Sequence, residues 1–173
     1  MRYETETGAA EIQWCMYRQT MMFATLLFVL MFTLTAGKAM RCPLGFINLG
    51  PTCYLFSHSR DTYADANSFC LFFGSHLADI TSKNEDDLIR SHLLRHGKGT
   101  DFYIGATDLR SEGIWTWEHP LRKVEGYTNW QPGEPSNSAG KEHCMAMDLG
   151  IGYRWNDRPC KQELPFICEK SYI

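Results

Sequence analysis

Several oxygen-bearing side chains lie close together in the second half of this sequence. Three are carboxylates, Glu134, Glu142 and Asp157, and up to three more are neutral oxygen ligands, Ser136, Asn137 and Asn156. Carboxylate and amide oxygens are hard ligands, and such ligands on tethered loops suit Ca²⁺. A calcium ion that keeps open coordination positions can hold the hydroxyl groups of a sugar. The pattern therefore predicts a calcium-dependent site that binds carbohydrate.

Two of these carboxylates could instead belong to an enzyme. Glu134 and Glu142 would form an acid–base pair if the protein cleaved glycosidic bonds. The further oxygen donors around them favour metal binding over this alternative. The sequence also lacks the G-x-S-x-G and H-E-x-x-H patterns of serine hydrolases and zinc proteases. We therefore expect a binding protein rather than an enzyme.

Length and charge narrow the class of protein further. The 173 residues suffice for one domain with a hydrophobic core, and the formal net charge is −3. No run of five or more basic residues occurs, which gives no electrostatic support for nucleic-acid binding. Aromatic residues make up 13% of the chain, a content typical of an ordered fold.

The cysteines indicate an oxidising compartment. Cys15 precedes an apolar run of the sequence. Six more follow that run: Cys42, Cys53, Cys70, Cys144, Cys160 and Cys168. An even set of cysteines downstream of a secretory segment predicts three disulfides. Their spacing alone does not choose among the many pairings that six cysteines allow.

The apolar run from Met21 to Ala36 is short for a membrane span and suits the core of a signal peptide. We expect residues 1–39 to form an amino-terminal segment that is removed. The product would be a secreted, extracellular protein without membrane attachment. The alternative is a signal anchor that keeps a single-pass protein at the membrane. Cleavage is preferred because Cys42 follows so closely that almost no stalk would remain.

The order of local patterns predicts an α+β fold, with two helices followed by antiparallel strands. Residues 60–73 repeat apolar side chains at three- and four-residue steps, which indicates a helix that Gly74 ends. Ser82 and Glu85 form an S-x-x-E capping box that opens a second helix. Gly97 is expected at the C′ position of that helix.

Short apolar segments bounded by turn residues predict the strands. They cover residues 102–105, 114–117, 145–147 and 165–168. Gly50 and Pro51 predict the turn of a small amino-terminal hairpin over residues 46–56. Residues 118–144 form a long segment rich in Gly, Pro, Asn and Ser. A loop of this length in a compact domain is usually functional.

Residues 42–170 resemble a C-type lectin domain of the single-domain, secreted type. The resemblance rests on Tyr103-Ile104-Gly105-Ala106, on Glu134-Pro135-Ser136, on Trp155-Asn156-Asp157 and on the order of the cysteines. It implies the C-type lectin fold, in which two helices and antiparallel strands carry a long loop that binds calcium and sugar. It also implies the disulfides Cys42–Cys53, Cys70–Cys168 and Cys144–Cys160.

The resemblance implies a cis peptide bond before Pro135. It also assigns the principal calcium to five residues: Glu134, Ser136, Glu142, Asn156 and Asp157. In the family, Glu-Pro-Asn accompanies mannose-type sugars, whereas Gln-Pro-Asp accompanies galactose. Glu134 keeps the first half of the mannose pattern, so mannose-type sugars on glycans or glycoproteins are the expected partners. Ser136 departs from the pattern, and its shorter side chain is expected to lower the calcium affinity.

The resemblance also implies a second, auxiliary calcium site. Asp108, Glu112 and Asn137 fall at its positions, together with Glu142. His143 occupies a position that is often acidic in the family. The competing interpretation is that these are ordinary solvated charges, which loop carboxylates more often are.

A second function is compatible with the same fold, namely binding to a protein or a mineral surface without recognising sugar. Ser136 favours this alternative, while the four retained ligands favour the lectin. An exposed calcium site buries little ligand surface, so one site should bind sugar weakly and useful avidity would require several copies. We therefore expect a homo-oligomer if the protein cross-links glycans.

Overall fold

The computed structural model describes residues 41–171, together with residues 17–18 and 21–22. The expected signal segment therefore lies almost wholly outside the described residues, and its cleavage stays a prediction. The chain divides into two compact units, residues 1–39 and 40–173, and every element named below belongs to the second. Within the described residues, no helix combines the length and the apolar composition needed to cross a membrane.

The first helix, α1, spans Tyr63–Phe72. The side chain of Thr62 accepts the backbone N–H of Asp65 at 3.4 Å and caps the helix. The helix therefore starts three residues later than the predicted range of 60–73. Gly74 ends the helix as predicted, with a left-handed φ of +63° and an N–H that bonds to the carbonyl of Leu71 at 2.9 Å.

The second helix, α2, spans Lys83–His96. Ser82 caps it by accepting the backbone N–H of Glu85 at 3.3 Å, as the capping box predicts. The prediction for Gly97 was wrong, because this residue is the C-cap with a φ of −73° and supplies no left-handed C′ residue. Glycine is required there for space, since a Cβ atom would lie 2.5 Å from the hydroxyl of Tyr153.

Strands form the rest of the domain. Nine are present in the described part of the chain: β1 Ile47–Leu49, β2 Thr52–Phe56, β3 His76–Leu77, β4 Phe102–Thr107, β5 Thr116–Glu118, β6 Leu121–Lys123, β7 Cys144–Asp148, β8 Arg154–Arg158 and β9 Ile167–Lys170. They build two antiparallel sheets, with the orders β1-β2-β9-β3 and β6-β5-β4-β7-β8. The class is α+β, as predicted.

The predicted strands lie at the correct places in the sequence, but their ends differ from those of the observed strands. The segments at 102–105 and 145–147 lie within β4 and β7. The segment at 114–117 begins two residues too early, because Ile114 belongs to a turn in which its N–H bonds to the carbonyl of Ser111 at 2.9 Å. The segment at 165–168 begins two residues before β9.

Aromatic residues anchor the larger of two buried clusters, which joins Ile89 of α2 to Ile104 of β4 and Trp155 of β8. The rings of Trp117 and Trp155 pack edge to face, with centroids 5.8 Å apart. The indole N–H of Trp155 donates to Asp86 Oδ1 at 3.0 Å. The buried indole therefore has the hydrogen-bond partner that its burial requires.

Three disulfides link the domain, and they are the pairs that the resemblance implied. Cys42–Cys53 ties the amino-terminal segment to β2, and Cys70–Cys168 ties α1 to β9. Cys144–Cys160 joins the start of β7 to the segment that follows β8. The last of these disulfides lies beside the predicted site.

Candidate metal and sugar site

The strand pair β7–β8 carries the last two predicted ligands. Asn156 lies opposite Ala146, and Asp157 lies opposite Met145. Both ligand residues are buried within β8, whereas Asn and Asp in isolation favour turns. The predicted ligands Asn156 and Asp157 therefore stand on a pair of strands that a disulfide closes at one end.

The long loop returns to β8 just before Glu134. The N–H of Trp155 donates to the carbonyl of Asn129, and the N–H of Gln131 donates to the carbonyl of Trp155, both at 2.8 Å. The N–H of Glu134 then bonds to the carbonyl of Gln131 at 3.0 Å. The Glu134–Pro135 peptide bond is cis, as the resemblance implied. The backbone bonds tie the stem of the loop to the strand that carries Asn156 and Asp157.

The carboxylate of Asp157 fixes the tip of the loop. Its Oδ1 accepts the backbone N–H of Ser136 at 3.1 Å, and its Oδ2 accepts that of Asn137 at 2.6 Å. Asp157 is fully buried, so these hydrogen bonds lie in a medium of low dielectric, where they are stronger than in water. Asp157 therefore positions the loop in addition to being a candidate ligand.

Glu142 is held by the same loop. Its backbone N–H donates to Asn137 Oδ1 at 3.1 Å, and its Oε2 accepts the backbone N–H of Ser138 at 2.9 Å. Asn137 adopts a left-handed φ of +44°, a conformation that Asn tolerates better than most residues. The loop thus closes on itself between Glu134 and Glu142, the first and second predicted carboxylates.

Asp148 orients Asn156, a role that no motif in the sequence predicted. The Nδ2 of Asn156 donates to Asp148 Oδ2 at 3.0 Å, and Arg158 also pairs with that oxygen. Burial alone would raise the pKa of Asp148, but hydrogen bonds from Asn156 and the Gly150 N–H, together with Arg158, outweigh it and lower that pKa. Asp148 therefore stays ionised and keeps the amide group of Asn156 turned one way.

Two oxygen atoms of the predicted ligand set lack a partner within the described residues. Glu134 Oε2 and Asn156 Oδ1 are both buried and accept no hydrogen bond, although unpaired buried acceptors cost free energy. Burial raises the pKa of Glu134; hydrogen bonds from Ser136 oppose this, and the neighbouring Asp157 raises it further. A hard divalent cation would satisfy both oxygens and offset the repulsion between the two carboxylates, so the residues present fit Ca²⁺.

A second cluster forms where β4 ends and β7 begins. The Nδ1 of His143 lies 3.0 Å from Asp108 Oδ1 and 3.3 Å from Glu112 Oε2. The predicted auxiliary set contained Asp108 and Glu112 but not His143. The amide oxygen of its third member, Asn137, accepts the N–H of Glu142. The position of His143 directly before a cysteine was the signal in the sequence that could have added it.

Two helices, two antiparallel sheets, three disulfides and a loop rich in oxygen ligands together define a C-type lectin fold. Residues 59–170 match the family described as the Lectin C-type domain. The chain belongs to this family, as its motifs indicated. C-type lectins are carbohydrate-binding proteins and in general not enzymes.

Named relatives agree with this assignment. Perlucin of Haliotis laevigata is 44% identical over 133 residues, which cover 76% of this chain and 84% of perlucin. The carbohydrate-recognition domain of the mouse scavenger receptor C-type lectin is 33% identical, with a TM-score of 0.68 over 76% of this chain and 98% of that one. The carbohydrate-recognition domain of cow CD23, solved in the presence of a GlcNAc2Man3 oligosaccharide, is 30% identical, with a TM-score of 0.67 over 77% of this chain and 98% of that one.

Proposed function

We propose that this chain is a calcium-dependent lectin that prefers mannose-type sugars over galactose. Residues 42–170 would form the lectin domain. Ca²⁺ would be held by the five residues predicted from the sequence: Glu134, Ser136, Glu142, Asn156 and Asp157.

The buried, unpartnered oxygens Glu134 Oε2 and Asn156 Oδ1 carry this proposal. Glu134 lies on the loop and Asn156 on β8, and Asp157 links the two segments through its bonds to the loop backbone. Without a bound cation, both oxygens would be buried with no hydrogen-bond partner, and buried acceptors in folded proteins nearly always have one. The arrangement is therefore best explained as one prepared for a metal ion.

Sugar recognition needs donors and acceptors around each hydroxyl group. Bound Ca²⁺ supplies coordination positions for two neighbouring sugar hydroxyls. The carboxylate of Glu134 can accept a hydrogen bond from a sugar hydroxyl, because an ionised carboxylate is an acceptor only. The amide of Asn156 carries two N–H groups, and the bond to Asp148 accounts for one of them. The second N–H of Asn156 can donate to the oxygen of a sugar hydroxyl.

The preference for mannose-type sugars follows from Glu134, which keeps the first half of the Glu-Pro-Asn pattern. The related domain of cow CD23 was solved with a mannose-containing oligosaccharide, which supports the same class of ligand. Ser136 has one hydroxyl group in place of an amide, so a longer contact or a bridging water would take its place. The calcium affinity should be lower for this reason.

We also propose where the protein acts, what its partners are and whether it assembles with copies of itself. Removal of residues 1–39 as a signal segment would release a secreted protein whose partners are glycans and glycoproteins. Because an exposed site binds one sugar weakly, cross-linking of glycans would require a homo-oligomer.

A glycan array with CaCl₂ and then with EGTA tests the proposal. We expect mannose-type ligands to bind with Ca²⁺ and to be released by EGTA. Glu134→Gln should abolish binding, since it removes one ligand charge, whereas the same change at the exposed Glu125 should leave binding unchanged. Binding that survives both EGTA and Glu134→Gln would contradict the proposal, and a galactose-only profile would contradict the sugar preference.

Protein or mineral binding without sugar recognition is the second candidate, and Ser136 is the observation that favours it. Under this alternative no glycan on the array would bind in either condition. Folding of the purified protein, checked by circular dichroism, would distinguish that outcome from an inactive preparation.

A further inference from the structure

We propose that Asp108, Glu112 and His143 bind a divalent transition metal, with Zn²⁺ as the preferred ion. This site is separate from the one that holds calcium and sugar under the proposed function. Its ligands combine one imidazole nitrogen with two carboxylate oxygens, all within 4.8 Å of one another. Imidazole suits Zn²⁺, whereas Ca²⁺ takes oxygen ligands and needs about 6–8 of them.

The fold delivers two of these ligands from neighbouring strands. Thr107 at the end of β4 pairs with Cys144 at the start of β7. Asp108 and His143 are the next residues outward, and the N–H of Asp108 bonds to the carbonyl of His143 at 3.2 Å. The two side chains therefore share an anchored backbone, and their separation does not depend on a flexible loop.

The third ligand comes from a tight turn. The carbonyl of Asp108 accepts the N–H of Ser111 at 3.0 Å, and its Oδ2 accepts the N–H of Gly113 at 2.8 Å. Glu112 lies between these two bonded residues. The bond to Gly113 also fixes one oxygen of Asp108 and turns Oδ1 toward His143, which is how an outer hydrogen bond orients a metal ligand.

The distances suit a small ion. The Nδ1 of His143 is 3.0 Å from Asp108 Oδ1 and 3.3 Å from Glu112 Oε2. Atoms bound tetrahedrally to Zn²⁺ at about 2.0–2.2 Å stand roughly 3.3–3.6 Å apart. Both distances from His143 are therefore already near the spacing that one shared ion requires, and the two carboxylate oxygens lie within 4.8 Å of each other.

A proton explains this geometry less well than a metal ion does. The Nδ1 atom of His143 carries at most one hydrogen, whether the imidazole is neutral or charged. It nevertheless lies within 3.3 Å of oxygens from two carboxylates, and one hydrogen shared between both would make two bent and weaker bonds. A divalent cation would accept a lone pair from each of the three atoms and would balance the two negative charges.

The site is also reachable from solvent. The side chain of Asp108 is 2% exposed, that of His143 is 27% exposed and that of Glu112 is 58% exposed. One buried ligand gives rigidity, while the open side leaves room for water at a fourth position. Three protein ligands plus water is a coordination that Zn²⁺ commonly adopts.

Titration of ZnCl₂ into the full chain by calorimetry, with excess CaCl₂ present, tests the proposal. We expect one Zn²⁺ per chain that Ca²⁺ does not displace. His143→Gln should weaken zinc binding by about tenfold or more, since loss of an outer-sphere partner already costs about 10–100-fold. Glu112→Gln should also weaken it, and this exposed change carries little risk to folding. Absence of zinc binding, or displacement by CaCl₂, would overturn the proposal.

Two controls locate the ion. His96→Gln changes a pair of histidines elsewhere in the domain. The rings of His92 and His96 in that pair lie 4.7 Å apart. This variant should bind zinc as the parent does, and a loss there would move the ion away from His143. Glu134→Gln should retain zinc binding while losing sugar binding, so failure of one proposal is distinguishable from failure of the other.

The histidine resonances give a readout that a structural role would not move. Coordination through Nδ1 leaves the proton of His143 on Nε2, and ¹⁵N spectra of the imidazole report this tautomer directly. We expect ZnCl₂ to shift the Nδ1 resonance of His143 and CaCl₂ to leave it in place. A shift confined to other histidines would contradict the assignment.

Discussion

The buried carboxylate of Asp157 accepts the backbone N–H of Ser136 at 3.1 Å, so a strand residue holds the loop segment that follows Pro135. The neighbouring N–H of Asn137 bonds to the other oxygen. Asp157→Asn should therefore disrupt the loop, because an amide offers one acceptor and places an NH₂ group against the second N–H.

We expect Asp157→Asn to lower the free energy of unfolding by about 2 kcal/mol, the range of a hydrogen bond to a charged group. It should also abolish calcium-dependent glycan binding. Urea unfolding and a glycan-binding assay measure the two effects. Asp87→Asn is the matched control, since Asp87 is an exposed partner of Lys83 on α2 and should cost little. Equal stability of the two variants would contradict the anchoring role.

Ser136→Asn should strengthen calcium binding. An amide reaches further than a hydroxyl and adds an N–H donor for the sugar. The gain expected is about tenfold in calcium affinity, or ~1.4 kcal/mol. A calcium titration that follows intrinsic tryptophan fluorescence measures it, with Ser138→Asn in the same loop as the control. An affinity that does not change would show that residue 136 lies outside the coordination shell.

Asp148→Asn should weaken calcium binding, although Asp148 is not itself one of the proposed ligands. Asp148 holds the amide of Asn156 through Nδ2, and loss of such an outer partner typically costs about 10–100-fold in metal affinity. Asp101→Asn is the matched control, because Asp101 also pairs with Arg158, at 2.9 Å. An equal loss in both variants would assign the effect to Arg158 instead of Asn156.

The pH dependence of stability should follow two carboxyls outside the proposed calcium site, the buried Asp79 and the half-buried Glu169. Burial raises the pKa of Asp79 to about 8, against the opposing charge of Arg122. Burial likewise raises the pKa of Glu169 to about 7, although the backbone N–H of Asp79 bonds to it at 2.9 Å. Both folded-state pKa values lie above the usual ones near 4. The folded protein therefore retains protons that the unfolded chain releases.

The stabilisation from these groups is present in full below about pH 4 and is lost as the pH rises through 7 and 8. We expect the free energy of unfolding to fall by an amount on the order of 5 kcal/mol between about pH 5.5 and 8.5. Urea unfolding across this range measures it. Asp79→Asn should flatten the dependence, and an unchanged slope in that variant would contradict the assignment.

Local signals in the sequence were sufficient where one residue decides the backbone. Ser82 caps α2 and Gly74 ends α1 as predicted, because capping depends on neighbours within a few residues. The requirement at Gly105 of the quoted motif differs, because it comes from a strand distant in the sequence. A Cβ atom there would lie 2.6 Å from the carbonyl of Leu77, so β4 passes β3 too closely for any side chain.

Signals that depend on strand register could not be seen in the sequence. Asp148 reaches Asn156 only because β7 and β8 pair antiparallel with Ala146 opposite Asn156. His143 reaches Asp108 only because β4 and β7 are neighbours. The strand β8 itself was not predicted, since the Asn and Asp at its centre favour turns when taken alone. Burial against the tryptophan cluster outweighs that preference.

The position of β9 has a consequence for biosynthesis. This strand lies between β2 and β3 in the first sheet, and Cys168 within it pairs with Cys70, 98 residues earlier. The early strands β2 and β3 therefore have no common partner until residues 167–170 have left the ribosome. The Cys70–Cys168 disulfide is therefore expected to form only after the synthesis of β9, whereas Cys42–Cys53 and Cys144–Cys160 involve no residue of that strand.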